Sequence, residues 1–179
     1  MAHTLTIARL LLVAPVAVAF ARPESLEPSV LVFLLCVAIA TDYWDGQVAR
    51  MKGRTSVKGQ LFDHSTDFVF VTAALTGAAM AELVTPILPA LVIIAFGQYV
   101  LDSYLLHQRK RLRMSLIGRS NGILYFALLL VISVSRLGPA GNARSLLTLT
   151  VGTLSYGLVV STIVSIVDRA LAPRQNMTK

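Results

Sequence analysis

The stretch Asp42–Asp67, DYWDGQVARMKGRTSVKGQLFDHSTD, decides how this chain must be read. It carries Asp42, Asp45, Asp63 and Asp67, four of the six aspartates, while the sequence on either side is dominated by Leu, Val, Ile and Ala. Carboxylates in apolar surroundings cost free energy to maintain, so a cluster of them points to function before it points to stability.

The surroundings are apolar throughout. The 179 residues are 55% hydrophobic and 14% charged, with a mean hydropathy of +0.71, against about 25% charged residues in an ordinary soluble domain. The composition predicts an all-α integral membrane protein. Six apolar segments, 5–20, 29–43, 67–81, 86–106, 122–135 and 146–167, predict a bundle of six transmembrane helices forming a single domain over 1–179. Several are shorter than the ~20 residues a spanning helix needs, so their helices are expected to continue into the flanking polar residues.

Charge placement sets the orientation. With the N-terminus cytoplasmic, the inner side receives Arg9, Arg50, Lys52, Arg54, Lys58, Arg109, Lys110, Arg111, Arg113, Arg119, Arg169, Arg174 and Lys179, leaving Arg22, Arg136 and Arg144 outside. This asymmetry predicts that both termini are cytoplasmic, with the four aspartates at the inner side. It also accounts for the net charge of +7 as a topology signal, without a nucleic-acid partner. Cys36 is the single cysteine, which excludes an intrachain disulfide or thiolate metal cage and leaves it a packing role in the second span. The N-terminus runs straight into its apolar stretch, as a retained first span does, rather than showing a signal peptide.

Local geometry can be read around the cluster. If the second helix continues to about Met51, Asp42, Asp45 and Ala49 share a face by i, i+3 and i+4 spacing, with Gly46 and Arg50 on the adjoining strip. Gly46 and Ala49 keep that face shallow enough for a ligand to approach the backbone. After a polar connection, Lys52 to Lys58, Gly59 is expected to open the third helix, on which Asp63 and Asp67 are again i, i+4 neighbours. A short loop predicts antiparallel neighbouring helices, with both carboxylate pairs at one depth. Arg9 lies one or two turns into the first apolar run. Its stem either snorkels back to the interface or brings the guanidinium to the aspartates or to a phosphate beside them.

Further along, Pro15 is expected to kink the first span. Gly77, Ala78, Ala79 and Ala81 suit close helix packing, as do Gly152 and Gly157 in the sixth span. Asp102, Tyr104 and His107 precede the basic run QRKRLR. That run serves either as an anchor to anionic lipid or as a site for an anionic headgroup. Arg119, entering the fifth helix after Gly118, is the basic residue best placed to face a cavity. Leu137 to Arg144 read as a Gly/Pro-rich outer loop, and Asp168 with Arg169 as a surface pair.

Four converging carboxylates repel one another unless cations compensate, and all-oxygen ligands favour Mg²⁺, Mn²⁺ or Ca²⁺ over zinc. Such ions held at a membrane surface suit phosphoryl chemistry. At this point the residues themselves carry a resemblance. Asp42-x-x-Asp45-Gly46-x-x-Ala49-Arg50, eight residues, then Gly59-x-x-x-Asp63-x-x-x-Asp67 resembles the signature of the CDP-alcohol phosphatidyltransferases at every fixed position. Six spans with an inner N-terminus also look like that family.

The resemblance implies transfer of a phosphatidyl group from CDP-diacylglycerol to an alcohol, with release of CMP, in phospholipid biosynthesis. It implies two divalent cations, Mg²⁺ or Mn²⁺, with Asp42, Asp45, Asp63 and Asp67 as metal ligands and Asp67 also as general base on the acceptor hydroxyl. Gly46 and Ala49 would border the cytidine, Arg50 would contact the diphosphate, and Gly59 completes the donor-binding set. It further implies a homodimer, and a chain this short resembles enzymes of the bacterial inner membrane, with a cytoplasmic active site.

The acceptor is less constrained. Phosphatidylglycerophosphate synthases of the family tend to carry Asp-Pro-x-Ala-Asp-Lys where this chain reads Asp63-His64-Ser65-Thr66-Asp67-Phe68. The Asp-His start looks more like amino-alcohol phosphotransferases, which take CDP-choline or CDP-ethanolamine and diacylglycerol. The basic residues Arg109 to Arg119 suit a phosphorylated acceptor, glycerol 3-phosphate or an inositol phosphate. In a different class, a divalent-cation transporter would use the aspartates as a transit site, but it needs polar residues through the outer half of the spans, where there is little beyond Gln98 and scattered Ser and Thr.

Overall fold

A computed structural model describes residues 2–51, 57–101 and 116–171. Among them are six α-helices and no strand: α1 Ala2–Ala21, α2 Pro28–Met51, α3 Val57–Met80, α4 Ile87–Leu101, α5 Leu116–Ser135 and α6 Asn142–Leu171. The expected extension of apolar segments into polar sequence is found. α2 continues through the aspartates to Met51, and α3 begins at Val57, well ahead of its apolar half. Two stretches, 117–135 and 142–171, are long and apolar enough to cross a membrane, and Thr6–Ala21, Pro28–Asp42 and Ile87–Leu101 are shorter apolar helices. Large apolar side chains face outward on several helices, among them Leu11, Phe33, Ile94, Leu149 and Val160. Such a surface suits lipid rather than water.

The helix ends follow local chemistry. Pro28 opens α2 at a position where a missing N–H costs nothing, and Pro89 is the third residue of α4, where the same holds. Pro15 sits, exposed, inside a continuous α1. Between α1 and α2, a 3₁₀ turn at Pro23–Ser25 is fastened by the Ser25 hydroxyl, which donates to the Arg22 carbonyl at 2.7 Å. At the end of α3 the Leu83 N–H reaches the Ala78 carbonyl and the Glu82 N–H the Ala79 carbonyl. This paired closure requires a left-handed residue, and Glu82 supplies it with φ 57°. Gly138 and Gly141, at φ 75° and 60°, shape the turn between α5 and α6.

Some expectations change. α6 begins at Asn142, so Arg144 lies in its first turn rather than in the outer loop. α5 begins at Leu116, which places Gly118 within the helix instead of before it. Cys36 is exposed on α2, facing away from the bundle rather than packing in it. Gly152 and Gly157 have open space where a Cβ would be, so neither mediates a helix crossing among the described residues.

The core lies along α1, α2, α3 and α5. Val16 and Phe20, Leu31 and Leu35, Phe70 and Leu75, and Leu128 and Ile132 are among its buried side chains on those helices. α1 packs closely along α3, as well as against α2, and α5 packs against α6 and α2. α1 and α3 run parallel: Arg9 meets Asp67 near one end, and Ala17 meets Gly77 two to three turns further on. A Cβ on Gly77 would lie 2.3 Å from the Ala17 carbonyl oxygen and 3.1 Å from the Phe20 Cβ, so the glycine sets the distance between the two helices. At the far end, the Arg136 guanidinium donates to the Ala19 carbonyl at 2.9 Å and lies 6.0 Å from the Phe20 ring centroid. Burial pulls the Arg136 pKa down and the nearby Glu24 pushes it back, and a guanidinium stays charged throughout.

Two stability measurements test this packing. Gly77→Ala is expected to destabilise the protein by about 1–3 kcal/mol, because the overlap falls on backbone and outweighs the ~1 kcal/mol gain in helix propensity. Gly97→Ala, which meets nothing within 4 Å, is the control and is expected to melt no lower than wild type in detergent. Glu82→Gly is expected to raise the melting temperature, since glycine adopts the left-handed conformation without the ~1 kcal/mol steric cost of a side chain. An unchanged or lower melting temperature would remove the strain assigned to that helix end.

Candidate functional site

The site assembles where three helices bring charge into the apolar bundle. Arg9 is on α1, Asp42 on α2 and Asp67 on α3. At 1.5 Å per residue, Arg9 lies about 10 Å from the start of α1, Asp67 about 15 Å from the start of α3 and Asp42 about 13 Å before the end of α2. These positions define one layer, set in from the end of the bundle at which α1 and α3 start and α2 finishes.

The Arg9 side chain is fully buried, whereas the Asp67 and Asp42 side chains are 23% and 40% exposed. Its Nη1 donates to Asp67 Oδ1, and its Nη2 lies 3.1 Å from Asp42 Oδ1. Of the alternatives for Arg9, snorkelling to the interface is excluded by its burial, and the guanidinium faces the aspartates. The expectation that α2 and α3 meet directly is refined: α1 packs along both, and the described carboxylates of α2 and α3 meet through its arginine. A lone buried cation is far costlier than a paired one, which accounts for its inward position.

The other predicted residues are placed by their helices. Asp45, Gly46, Ala49 and Arg50 fall on α2, and Gly59 and Asp63 on α3, but their side chains lie outside the described residues. The unbroken helices keep the expected register, Asp45 one turn after Asp42 and Asp63 one turn before Asp67. Lys52 and Arg54 in the connection, Asp102, Tyr104, His107 and the run Arg109 to Arg113 also lie outside the described residues. Arg119 is exposed, in the first turn of α5.

Sequence reading singled out His64 without a neighbour for it. The structure sets its ring edge-on to Tyr99 of α4, with centroids 6.3 Å apart, and the Arg169 guanidinium lies 5.3 Å from the centroid of the same Tyr99 ring. Arg169, next in sequence to the exposed Asp168, therefore meets an aromatic face. Phe68, next to Asp67, stacks on Phe96 at 3.9 Å, which fixes this wall of α3 against α4. Thr66 is buried and donates to the Phe62 carbonyl at 3.0 Å.

Polar contacts missed by sequence reading hold the same end of the bundle. The Tyr125 hydroxyl bonds Thr162 Oγ1 at 2.6 Å, Ser161 Oγ donates to Asn121 Oδ1 at 2.6 Å, and Gln98 Nε2 donates to the Ile166 carbonyl at 3.1 Å. They tie α5 and α4 to α6. Nothing in the linear pattern pairs these residues, though Ser and Thr in an apolar helix signal a packed face.

The donor chemistry fits a hard divalent cation: Asp42 and Asp67 offer carboxylate oxygen from two helices, and the protein already places positive charge between them. Among the described residues, no three metal-ligating side chains come together. A fuller donor set draws on Asp45 and Asp63, the register neighbours.

No curated protein and no solved structure matched the chain. The sequence model of one family, CDP-alcohol phosphatidyltransferase, matched residues 1–168. That match runs through all six helices and includes every aspartate of the charged layer. The bundle that sets Asp42 and Asp67 against one buried guanidinium thus belongs to the CDP-alcohol phosphatidyltransferase family, transferases of phospholipid synthesis.

Proposed function

We propose that this membrane protein transfers a phosphatidyl group from CDP-diacylglycerol to a phosphorylated alcohol, glycerol 3-phosphate or an inositol phosphate, releasing CMP. The observation that carries this reading is the convergence of Asp42 and Asp67, from opposite ends of the family's signature, in one layer set in from the end of the bundle. At that depth, a donor whose acyl chains stay in the leaflet presents its diphosphate to the carboxylates, and the lipid product need not leave the membrane.

In this proposal Asp42, Asp45, Asp63 and Asp67 hold two divalent cations, Mg²⁺ or Mn²⁺. When bound, these neutralise diphosphate charge and polarise the phosphorus under attack. Gly46 and Ala49 leave room beside α2 for the cytidine, Arg50 pairs with the diphosphate, and Gly59 permits close approach at the start of α3. Asp67 accepts the proton of the acceptor hydroxyl as its oxygen bonds to the diacylglycerol-linked phosphorus. The bond from that phosphorus to the bridging oxygen breaks, and the oxygen departs with CMP. Arg119, exposed at the start of α5, supplies charge for the acceptor phosphate.

The proposal takes the chain as one domain of six membrane-spanning helices with both termini cytoplasmic, acting as a homodimer in a bacterial inner membrane. The layer of Arg9, Asp42 and Asp67 then lies within the inner leaflet, at the side to which the positive loops are assigned.

Purified protein supplied with Mn²⁺ and CDP-diacylglycerol is expected to release CMP only when a suitable alcohol is added, and a panel of alcohols with and without phosphate identifies the acceptor. Asp67→Asn is expected to lower CMP release by about 10²–10⁴-fold, the range of a lost general base. Wild-type-like release by this variant would refute the general-base role, and failure of every alcohol would refute the donor. Arg119→Ala is expected to raise the acceptor KM about tenfold or more while the donor KM holds, matching the loss of one charge-assisted contact. An unchanged acceptor KM would take Arg119 out of the acceptor site.

A further inference from the structure

Arg9 is the one charged side chain that is fully buried among the described residues, and it belongs to none of the signature positions. Its two terminal nitrogens, Nη2 and Nη1, lie against one oxygen each of Asp42 and Asp67, the same carboxylates that the proposed reaction assigns to metal. Each guanidinium contact uses carboxylate oxygen that a divalent cation also needs. A cation arriving there meets a positive charge already in place, in surroundings where charges interact more strongly than in water. Two carboxylates and one guanidinium leave a net charge of −1. Without the guanidinium, they would face each other uncompensated until metal bound.

We propose that Arg9 is a built-in counter-cation: it holds Asp42 and Asp67 together across α1, α2 and α3 in the metal-free protein and yields part of that hold when the divalent cation loads. Arg9 is thus a positioning residue, which keeps the carboxylates converged at the cost of metal affinity. Arginine suits this task because its planar fork spans two carboxylates at once, which a lysine point charge does not. The proposal rests on the metal-binding reading of the same aspartates.

The test uses full-length wild type, Arg9→Lys and Arg9→Gln in detergent, with Mn²⁺ binding followed by the electron paramagnetic resonance of the free ion. Melting is measured in chelator and in saturating Mn²⁺. In chelator, Arg9→Gln is expected to melt roughly 6–20 °C below wild type, as expected for a buried charge pair broken from one side. Mn²⁺ is expected to close most of that gap and to bind the variant about tenfold more tightly, because one opposing charge is gone. Arg9→Lys retains the charge and is expected to keep wild-type Mn²⁺ affinity with intermediate melting.

Equal Mn²⁺ affinity in Arg9→Gln and wild type, with a melting gap that persists in Mn²⁺, would overturn the exchange and leave Arg9 a fixed structural ion pair. Absence of Mn²⁺ binding by wild type would instead overturn the metal reading itself, and the exchange with it. Should Arg9→Gln be too unstable to purify, Arg9→Lys carries the melting and Mn²⁺ comparison, and a double-mutant cycle tests the carboxylate contact itself. Arg9→Gln is expected to cost less in the Asp67→Asn background than in wild type, and an equal cost would show that Arg9 acts by packing rather than through the carboxylate.

Discussion

One guanidinium, that of Arg9, is shared by two carboxylates inside a bundle whose other core residues are mostly aliphatic and aromatic, and the arrangement of α1, α2 and α3 depends on it. A buried charge is tolerated only when its partners sit in good geometry, so this contact does more than attract: it fixes which turn of α1 lies opposite which turn of α2 and α3. Two to three turns further on, Gly77 lets the backbone of α3 approach the Ala17 carbonyl of α1. Charge sets the register at one end, and the missing side chain sets the distance beyond it. Neither constraint would suffice alone, because an apolar helix slides along another at little cost unless something specific pins it.

The two ends of the bundle are built from different materials. The end away from the aspartates is closed largely by backbone geometry, the 3₁₀ turn after α1, the left-handed Glu82 after α3 and the two positive-φ glycines before α6, with the Arg136 side chain reaching the Ala19 carbonyl. The charged end is held by side chains reaching between helices, at Tyr125–Thr162, Asn121–Ser161 and Gln98–Ile166. In low-dielectric surroundings such bonds order a region while leaving polar groups there. A reaction on charged phosphates needs polar groups held in place, and the charged end supplies most of those that link helices among the described residues.

Much of the helical layout was legible because its signals are local. The apolar lengths, Pro28 at the start of α2 and the continuation of α2 to Met51 needed no knowledge of a partner helix. The aspartate spacing was legible for the same reason, since i, i+3 and i+4 positions share a face once a helix forms. Pairings between distant residues were not. Arg9 has mostly apolar neighbours around its helix, with Thr6 the one polar residue a turn away, so the pattern of α1 does little to reveal which face turns inward. The glycines show the same limit: Gly77 and Gly157 look alike in sequence, yet only Gly77 has a backbone against it. Cys36 and Glu82 were misread or overlooked because outward orientation and a left-handed backbone are decided by packing and helix closure, not by residue type.

The departure of His64, Ser65 and Thr66 from the Asp-Pro-x-Ala-Asp-Lys pattern acquires a structural meaning from α3. Proline lacks an N–H, and its ring crowds the carbonyl four residues earlier, so at position 64 it would disturb a helix already running from Val57. Histidine keeps the helix intact and turns its ring toward Tyr99 of α4. Thr66 returns its hydroxyl to the Phe62 carbonyl of its own helix, so it adds no polar group to the charged layer. The residues between the last two aspartates therefore do separate things: one keeps α3 compact and one meets the wall formed by α4 and Arg169 of α6. Arg9 approaches Asp67 from α1, while Phe68 and His64 join the same stretch of α3 to α4, so Asp67 sits at the junction of two walls built by different helices.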